Sequence, residues 1–184
     1  MTKTDLSTFD NSWYDPGRGI VVRILWYYVN IIFIKSYWLP VSSIKRLLLR
    51  WFGARIGTGV VIKPGVNIKY PWLLEIGDHS WIGEGVWIDN LAKVNIGSQC
   101  CLSQGAMLIT GSHDYKKSSF DLRVGEIRLE EGVWIGAGAM VGPGVVCHSH
   151  SVLALNSVAA KDLDPYTIFQ GNPALEKRSR PLKT

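Results

Sequence analysis

From residue 54 onward the sequence predicts an all-β core wound as a parallel β-helix, in which three short strands make one triangular coil. Three observations predict it. Aliphatic or small apolar residues recur every six positions, at Ile56, Ile62 and Ile68, Ile76, Ile82 and Ile88, Ile96, Leu102 and Leu108, then Leu129, Ile135, Val141, Cys147, Leu153 and Ala159. Glycine follows directly at Gly57, Gly77, Gly83, Gly97, Gly136 and Gly142, and recurs further along the hexads at Gly59, Gly65, Gly85, Gly105, Gly138 and Gly144. The period breaks at three places only, each after the third hexad of a coil. A period of six fits neither the three-to-four spacing of a helix nor the longer alternation of a hairpin. Glycine reaches left-handed backbone angles without strain, so its return means a bend in every hexad. About five coils are expected.

The elements preceding the coil read differently. Residues 1–53 form an extension whose first nineteen residues are polar, with neither the basic start nor the apolar stretch of a secretory signal. A cytoplasmic protein is therefore expected. Ile20 to Leu39 is apolar but interrupted by Arg23, Asn30 and Lys35. A span needs ~20 predominantly apolar residues, and a central charge costs roughly 2.5–3.5 kcal/mol. A helix ending at Pro40 is expected, then a second from Val41 to Gly53 with Ser42 and Ser43 as caps. Two readings stay open for residues 20–52: packing against the domain or a neighbouring subunit, or lying on a membrane with Lys45, Arg46 and Arg50 toward anionic lipid.

Within the coil, residues 54–162, the breaks locate a site. Ile68 to Ile76 and Ile88 to Ile96 are eight residues each, and Leu108 to Leu129 is twenty-one. Tyr70-Pro71-Trp72, Asp89-Asn90-Leu91 and a loop at 111–126 are therefore stacked at one corner, and loops extruded from a rigid scaffold are where sites are built. His113 lies at the root of the longest loop, with Asn90 at the same corner one coil below. Histidine titrates near neutrality, as a base that deprotonates a hydroxyl requires. Residues 163–184 read as a short tail.

Composition narrows the class. The chain is 47% apolar with a net charge of +5, which excludes disorder and suits an anionic ligand or surface, with charge too diffuse for nucleic acid. Cys100, Cys101 and Cys147 make no disulfide framework, and Cys147 occupies an inward position.

The repeat, Tyr70-Pro71-Trp72, Gly111-Ser112-His113-Asp114-Tyr115, Val133-Trp134-Ile135-Gly136 and Gly171-Asn172-Pro173-Ala174 resemble the hexapeptide-repeat acyltransferases, most of all the acetyltransferases of colanic-acid and exopolysaccharide synthesis. The resemblance covers about residues 54–174 and implies a left-handed coil, a homotrimer, acetyl-CoA as co-substrate and no metal. It makes His113 the general base of O-acetyl transfer to a sugar or lipid-linked saccharide. Asn90, Asp89, Asp114 and Tyr115 are then expected at the acceptor, and Trp134, Gly136, Ala137, Leu155, Ala160 and Lys161 along coenzyme A. Asp114, Asp121 and Glu126 are the candidates for orienting His113, and backbone N–H groups near Trp134 to Ala137 for holding an oxyanion. Trp72, Trp81, Trp87 and Trp134 are expected at subunit contacts. The sequence departs from the family at Leu155, which is bulky, and at His148-Ser149-His150-Ser151, which lacks the usual glycine. Two alternatives are a non-catalytic membrane-associated or scaffold coil, and a zinc-dependent γ-type carbonic anhydrase, which needs three converging histidines among His79, His113, His148 and His150.

Overall fold

The computed structural model of the chain describes residues 3–183. It is a left-handed parallel β-helix with a helical cap over its first coil. Face A stacks Arg55–Ile56, Leu74–Ile76, Val94–Ile96, Ile127–Leu129 and Val146–Cys147. Face B begins with Val61–Ile62 and Trp81–Ile82, and face C with Asn67–Ile68 and Trp87–Asp89. Register is strict: Ile56 pairs with Ile76, Ile62 with Ile82 and Ile68 with Ile88. All fifteen in-register residues are buried, as the period requires. A second inward row lies two residues earlier, at positions such as Val60, Val86, Cys100, Val133 and Ser157, because alternate residues of a strand share a side. Burying each large aliphatic contributes roughly 1.5–3 kcal/mol, so the narrow interior carries the stability of the coil.

Stacking also dictates which bends must be glycine. Gly132 has φ +69°, and a Cβ there would collide with the ring of His150 on the next coil. His150 itself adopts φ +58°, supplying the bend where the sequence lacks glycine, and the coil stays regular above it.

The tail does not leave the coil. Leu163 bridges to Cys147 on face A, and Thr167–Gln170 adds a strand to face B, so a partial sixth coil follows the five complete ones. Leu175–Ser179 then returns antiparallel to Thr167–Gln170 and covers its outer edge.

The opposite end is covered by helices α1 (Ile20–Val29), prolonged by a π-helical turn at Asn30–Ile34, and α2 (Ser42–Trp51). An uncovered first coil would leave a row of unpaired backbone groups. The cap satisfies them. The Trp26 indole N–H donates to Ile68 O, Arg46 to Val60 O, and Arg50 to Ile56 O. Lys45 is fully buried, its Nζ donating to Ile34 O and Lys63 O, and burial pulls its ammonium below the ordinary lysine range. Of the two readings left open for residues 20–52, lipid contact by Lys45, Arg46 and Arg50 is set aside, because their head groups turn inward to backbone carbonyls. Ser42 likewise bonds Ile62 N and O, and Val41 occupies the N-cap without a side-chain bond. Among the described residues no helix is long and apolar enough to cross a membrane.

Candidate active site

The three breaks stack along the edge where face C turns into face A. Asn90 bridges the first two: its Nδ2 donates to Tyr70 O at 2.6 Å and its Oδ1 accepts from Tyr70 N at 2.9 Å. Thr110, at the third break, accepts from Ala92 N and donates to Asp89 O. Gly111–His113 then pairs antiparallel with Leu122–Val124, so the long insertion is a hairpin projecting from the third coil.

His113 is half-buried at the end of that hairpin. Its Nδ1 lies 2.9 Å from Phe120 O, and its ring stacks on Phe120 with centroids 4.4 Å apart. A carbonyl only accepts, so in the neutral ring Nδ1 carries the proton and Nε2 keeps its lone pair. Phe120 adopts φ +53°, the left-handed backbone in which its carbonyl faces His113. None of the three carboxylates expected to orient His113 makes that bond. Asp114 is buried and paired with Arg123 at 2.6 Å, while Asp121 is held by Lys117 and Ser119, which keep its carboxyl below the usual range.

The N-terminal arm completes the surroundings. Asp5 N donates to Ser118 O of the hairpin, Phe9 tilts against the His113 ring at 5.8 Å, Tyr14 donates to Leu91 O, and Trp72 donates to Pro16 O. Sequence reasoning missed both Phe9 and Phe120. Their only signal was an aromatic residue isolated in a polar stretch. Trp72 is half-buried and stacked on Tyr70 within the chain.

The expected acceptor residues are not one cluster. Asn90 has no exposed surface, and its amide is occupied by Tyr70. Asp89 is ion-paired with Lys69 at 2.9 Å and lines a groove beside α1. Asp114 braces the hairpin, and Tyr115 is exposed on it.

The expected cofactor residues fall on two edges. Trp134, Gly136, Ala137 and Leu155 lie where face B turns into face C, with Trp134 and Leu155 exposed. Ala160 and Lys161 follow Val158–Ala159 on the His113 edge, two coils above its hairpin. The N–H groups of Trp134 and Gly136 donate to Ser151 O and Leu153 O in the ladder, so neither is free for an oxyanion. Cys100 is buried, and burial pushes its thiol up to about 11; burial raises Cys147 further. Neither is placed as a nucleophile. His79 and His150 hold left-handed bends and His148 lies 3.3 Å from Glu130, all on the edge between faces A and B, away from His113. A concavity of about 980 Å³ on face A is crossed by the ion pairs of Glu75 with Arg55 and Lys93 and is separate from the His113 hairpin.

No family model matches the chain. It is 36% identical over 179 residues to the colanic acid biosynthesis acetyltransferase WcaF of Escherichia coli, covering 96% of this chain and 97% of that one. The chain belongs to the WcaF family of hexapeptide-repeat acetyltransferases. It is also 32% identical over 132 residues to nodulation protein L of Rhizobium meliloti, covering 70% of this chain and 72% of that protein. A hexapeptide-repeat acetyltransferase of Vibrio cholerae, 26% identical, superposes with a TM-score of 0.79 over 88% of this chain and 92% of its own. The same Vibrio protein has been solved with acetyl coenzyme A.

Proposed function

We propose that this WcaF-family acetyltransferase moves the acetyl group of acetyl-CoA to a hydroxyl of a sugar, a unit of an exopolysaccharide or other cell-surface saccharide. The observation that carries the mechanism is the Phe120 carbonyl on Nδ1 of His113, which leaves Nε2 as the free base. Nε2 takes the proton of the acceptor hydroxyl as that oxygen attacks the thioester carbon. The tetrahedral intermediate collapses with cleavage of the C–S bond, and the same proton passes from Nε2 to the leaving thiolate, giving the ester and free coenzyme A. Likeness to WcaF over nearly the whole chain supports the acceptor class.

Three chains side by side complete the site in this reading. His113 and Trp134 occupy different edges of one prism, and packing of prisms would set the His113 edge of one subunit against the Trp134 edge of the next. The exposure of Trp81, Trp87 and Trp134 on faces B and C supports such contacts. Lys161, with Lys177 and Arg178 of the last strand, is exposed and suited to the nucleotide phosphates of the donor.

The test is coenzyme A release from acetyl-CoA over a panel of sugars, nucleotide sugars and lipid-linked saccharides, for the native chain and His113→Ala. A fall of at least ~100-fold in a variant of unchanged assembled mass supports the mechanism. Absence of both turnover and acetyl-CoA binding in the native chain refutes it.

A further inference from the structure

The helical cap is turned inside out. A surface helix ordinarily hides an apolar stripe and shows its charges. In α2 the head groups of Lys45, Arg46 and Arg50 reach back to the first coil, while Ile44, Leu47 and Trp51 face outward at 42%, 45% and 72% exposure. Helix α1 and its π-turn carry no charge between Arg23 and Lys35, and Ile24, Leu25, Tyr28 and Ile32 are exposed there. Among the described residues, fourteen of the twenty-five exposed large apolar side chains fall in residues 20–51. That concentrates exposed apolar side chains at one end of the prism, and large apolar patches on a protein surface mark interaction sites.

The charge at this end says what meets it. Between Asp15 and Glu75 there are nine basic residues and no acidic one, whereas the rest of the chain is net −4. Among the described residues only two of the nine, Arg55 and Lys69, are paired with a carboxylate. The partners of Lys45, Arg46 and Arg50 are neutral carbonyls, which leave their charge uncancelled. A groove of about 720 Å³ beside α1 is lined by Arg23, Lys35, Tyr27 and Tyr28 together with the Lys69–Asp89 pair, and the buried Nε of Arg23 has no partner among the described residues. A second copy docked cap to cap would oppose two such cationic ends. An anionic surface with an apolar interior complements both features.

We propose that the cap seats the protein on an anionic lipid bilayer. Its Ile, Leu and Trp side chains enter the boundary between headgroups and acyl chains, and Arg18, Arg23 and Lys35 meet lipid phosphates. Exposed Tyr27, Tyr28, Tyr37 and Trp38 suit the headgroup level, where an aromatic ring has one apolar and one wet end. With coils ~4.8 Å apart and a helix layer ~10 Å thick, the His113 hairpin stands roughly 25 Å above the lipid surface. Docking is independent of which hydroxyl is acetylated.

The test is flotation of the full chain with vesicles of phosphatidylcholine alone and of phosphatidylcholine mixed with phosphatidylglycerol. The native chain is expected to float with the anionic vesicles, with partitioning lowered roughly tenfold or more on phosphatidylcholine alone, by high salt, or by Leu47→Ser with Trp51→Ser. Leu175→Ser, an exposed leucine at the far end of the prism, is expected to float like the native chain. Far-UV circular dichroism checks that the variants fold, and quenching of native tryptophan fluorescence by brominated lipid reports contact without any variant. A native chain that neither floats with anionic vesicles at low salt nor is quenched overturns the proposal. So does a folded double variant that floats unchanged. A native assembly whose mass the double variant halves, by light scattering, would give the face to a second copy instead.

Discussion

Asn90→Ala separates two roles for the residue at the corner below His113. In the structure both polar atoms of the Asn90 side chain bond the backbone of Tyr70, at 2.6 and 2.9 Å, and Asn90 has no exposed surface. Truncation leaves Tyr70 N–H and C=O unpaired. Each unsatisfied buried group costs ~1–3 kcal/mol, and Tyr70 is only half-buried, so water recovers part of this; a net loss of about 2–3 kcal/mol is expected. For a domain of this size 1 kcal/mol moves Tm by roughly 2–4 °C, which places the variant roughly 4–12 °C below the native protein in scanning calorimetry at equal concentration. At a temperature where the variant is folded, its KM for the acceptor should change by less than ~threefold. A variant that melts with the native protein yet raises the acceptor KM tenfold would refute the reasoning and make Asn90 an acceptor ligand.

Other outcomes follow from the same geometry. Phe120→Ala keeps the carbonyl on His113 but removes the ring stack, worth ~0.5–1.5 kcal/mol; kcat should fall roughly three- to tenfold in the coenzyme A assay with the acetyl-CoA KM unchanged. Gly132→Ala should destabilise the coil by ~2–4 kcal/mol in urea unfolding, since it combines a strained φ with the His150 clash. Adding His150→Gly should recover the part due to the clash. Lys45 has a folded-state pKa pulled below its unfolded value of 10.5, so between the two values the unfolded chain binds more protons and stability rises with pH. Lys45→Met should lack that rise when urea midpoints are compared across the alkaline range.

The hexad period and its interruptions were sufficient to read the coil, its inward residues and the edge from which the long insertion projects, because a six-residue repeat leaves the chain one way to bury its aliphatics. The same arithmetic placed His113 in the extruded loop, where the structure sets it at the last pair of the hairpin ladder rather than at its root. The partner of His113 was not legible. Backbone carbonyls carry no sequence signature, and the Phe120 carbonyl reaches the ring only because a non-glycine residue takes a left-handed angle in the folded hairpin. The carboxylates that looked suited to the task, Asp114 and Asp121, were claimed by Arg123, Lys117 and Ser119. The direction of the basic helix was left open for a related reason. A charge pattern in sequence shows which residues share a helix face, while the direction of that face is set by what lies beneath it. Here the open edge of the first coil offers unpaired carbonyls, which draw Lys45, Arg46 and Arg50 inward and leave the apolar side of the cap exposed. The repeat is a local property and the sequence alone determined it; the tautomer of His113, the engagement of Asn90 and the orientation of the cap depend on contacts between segments far apart in the chain, and only the tertiary structure decided them.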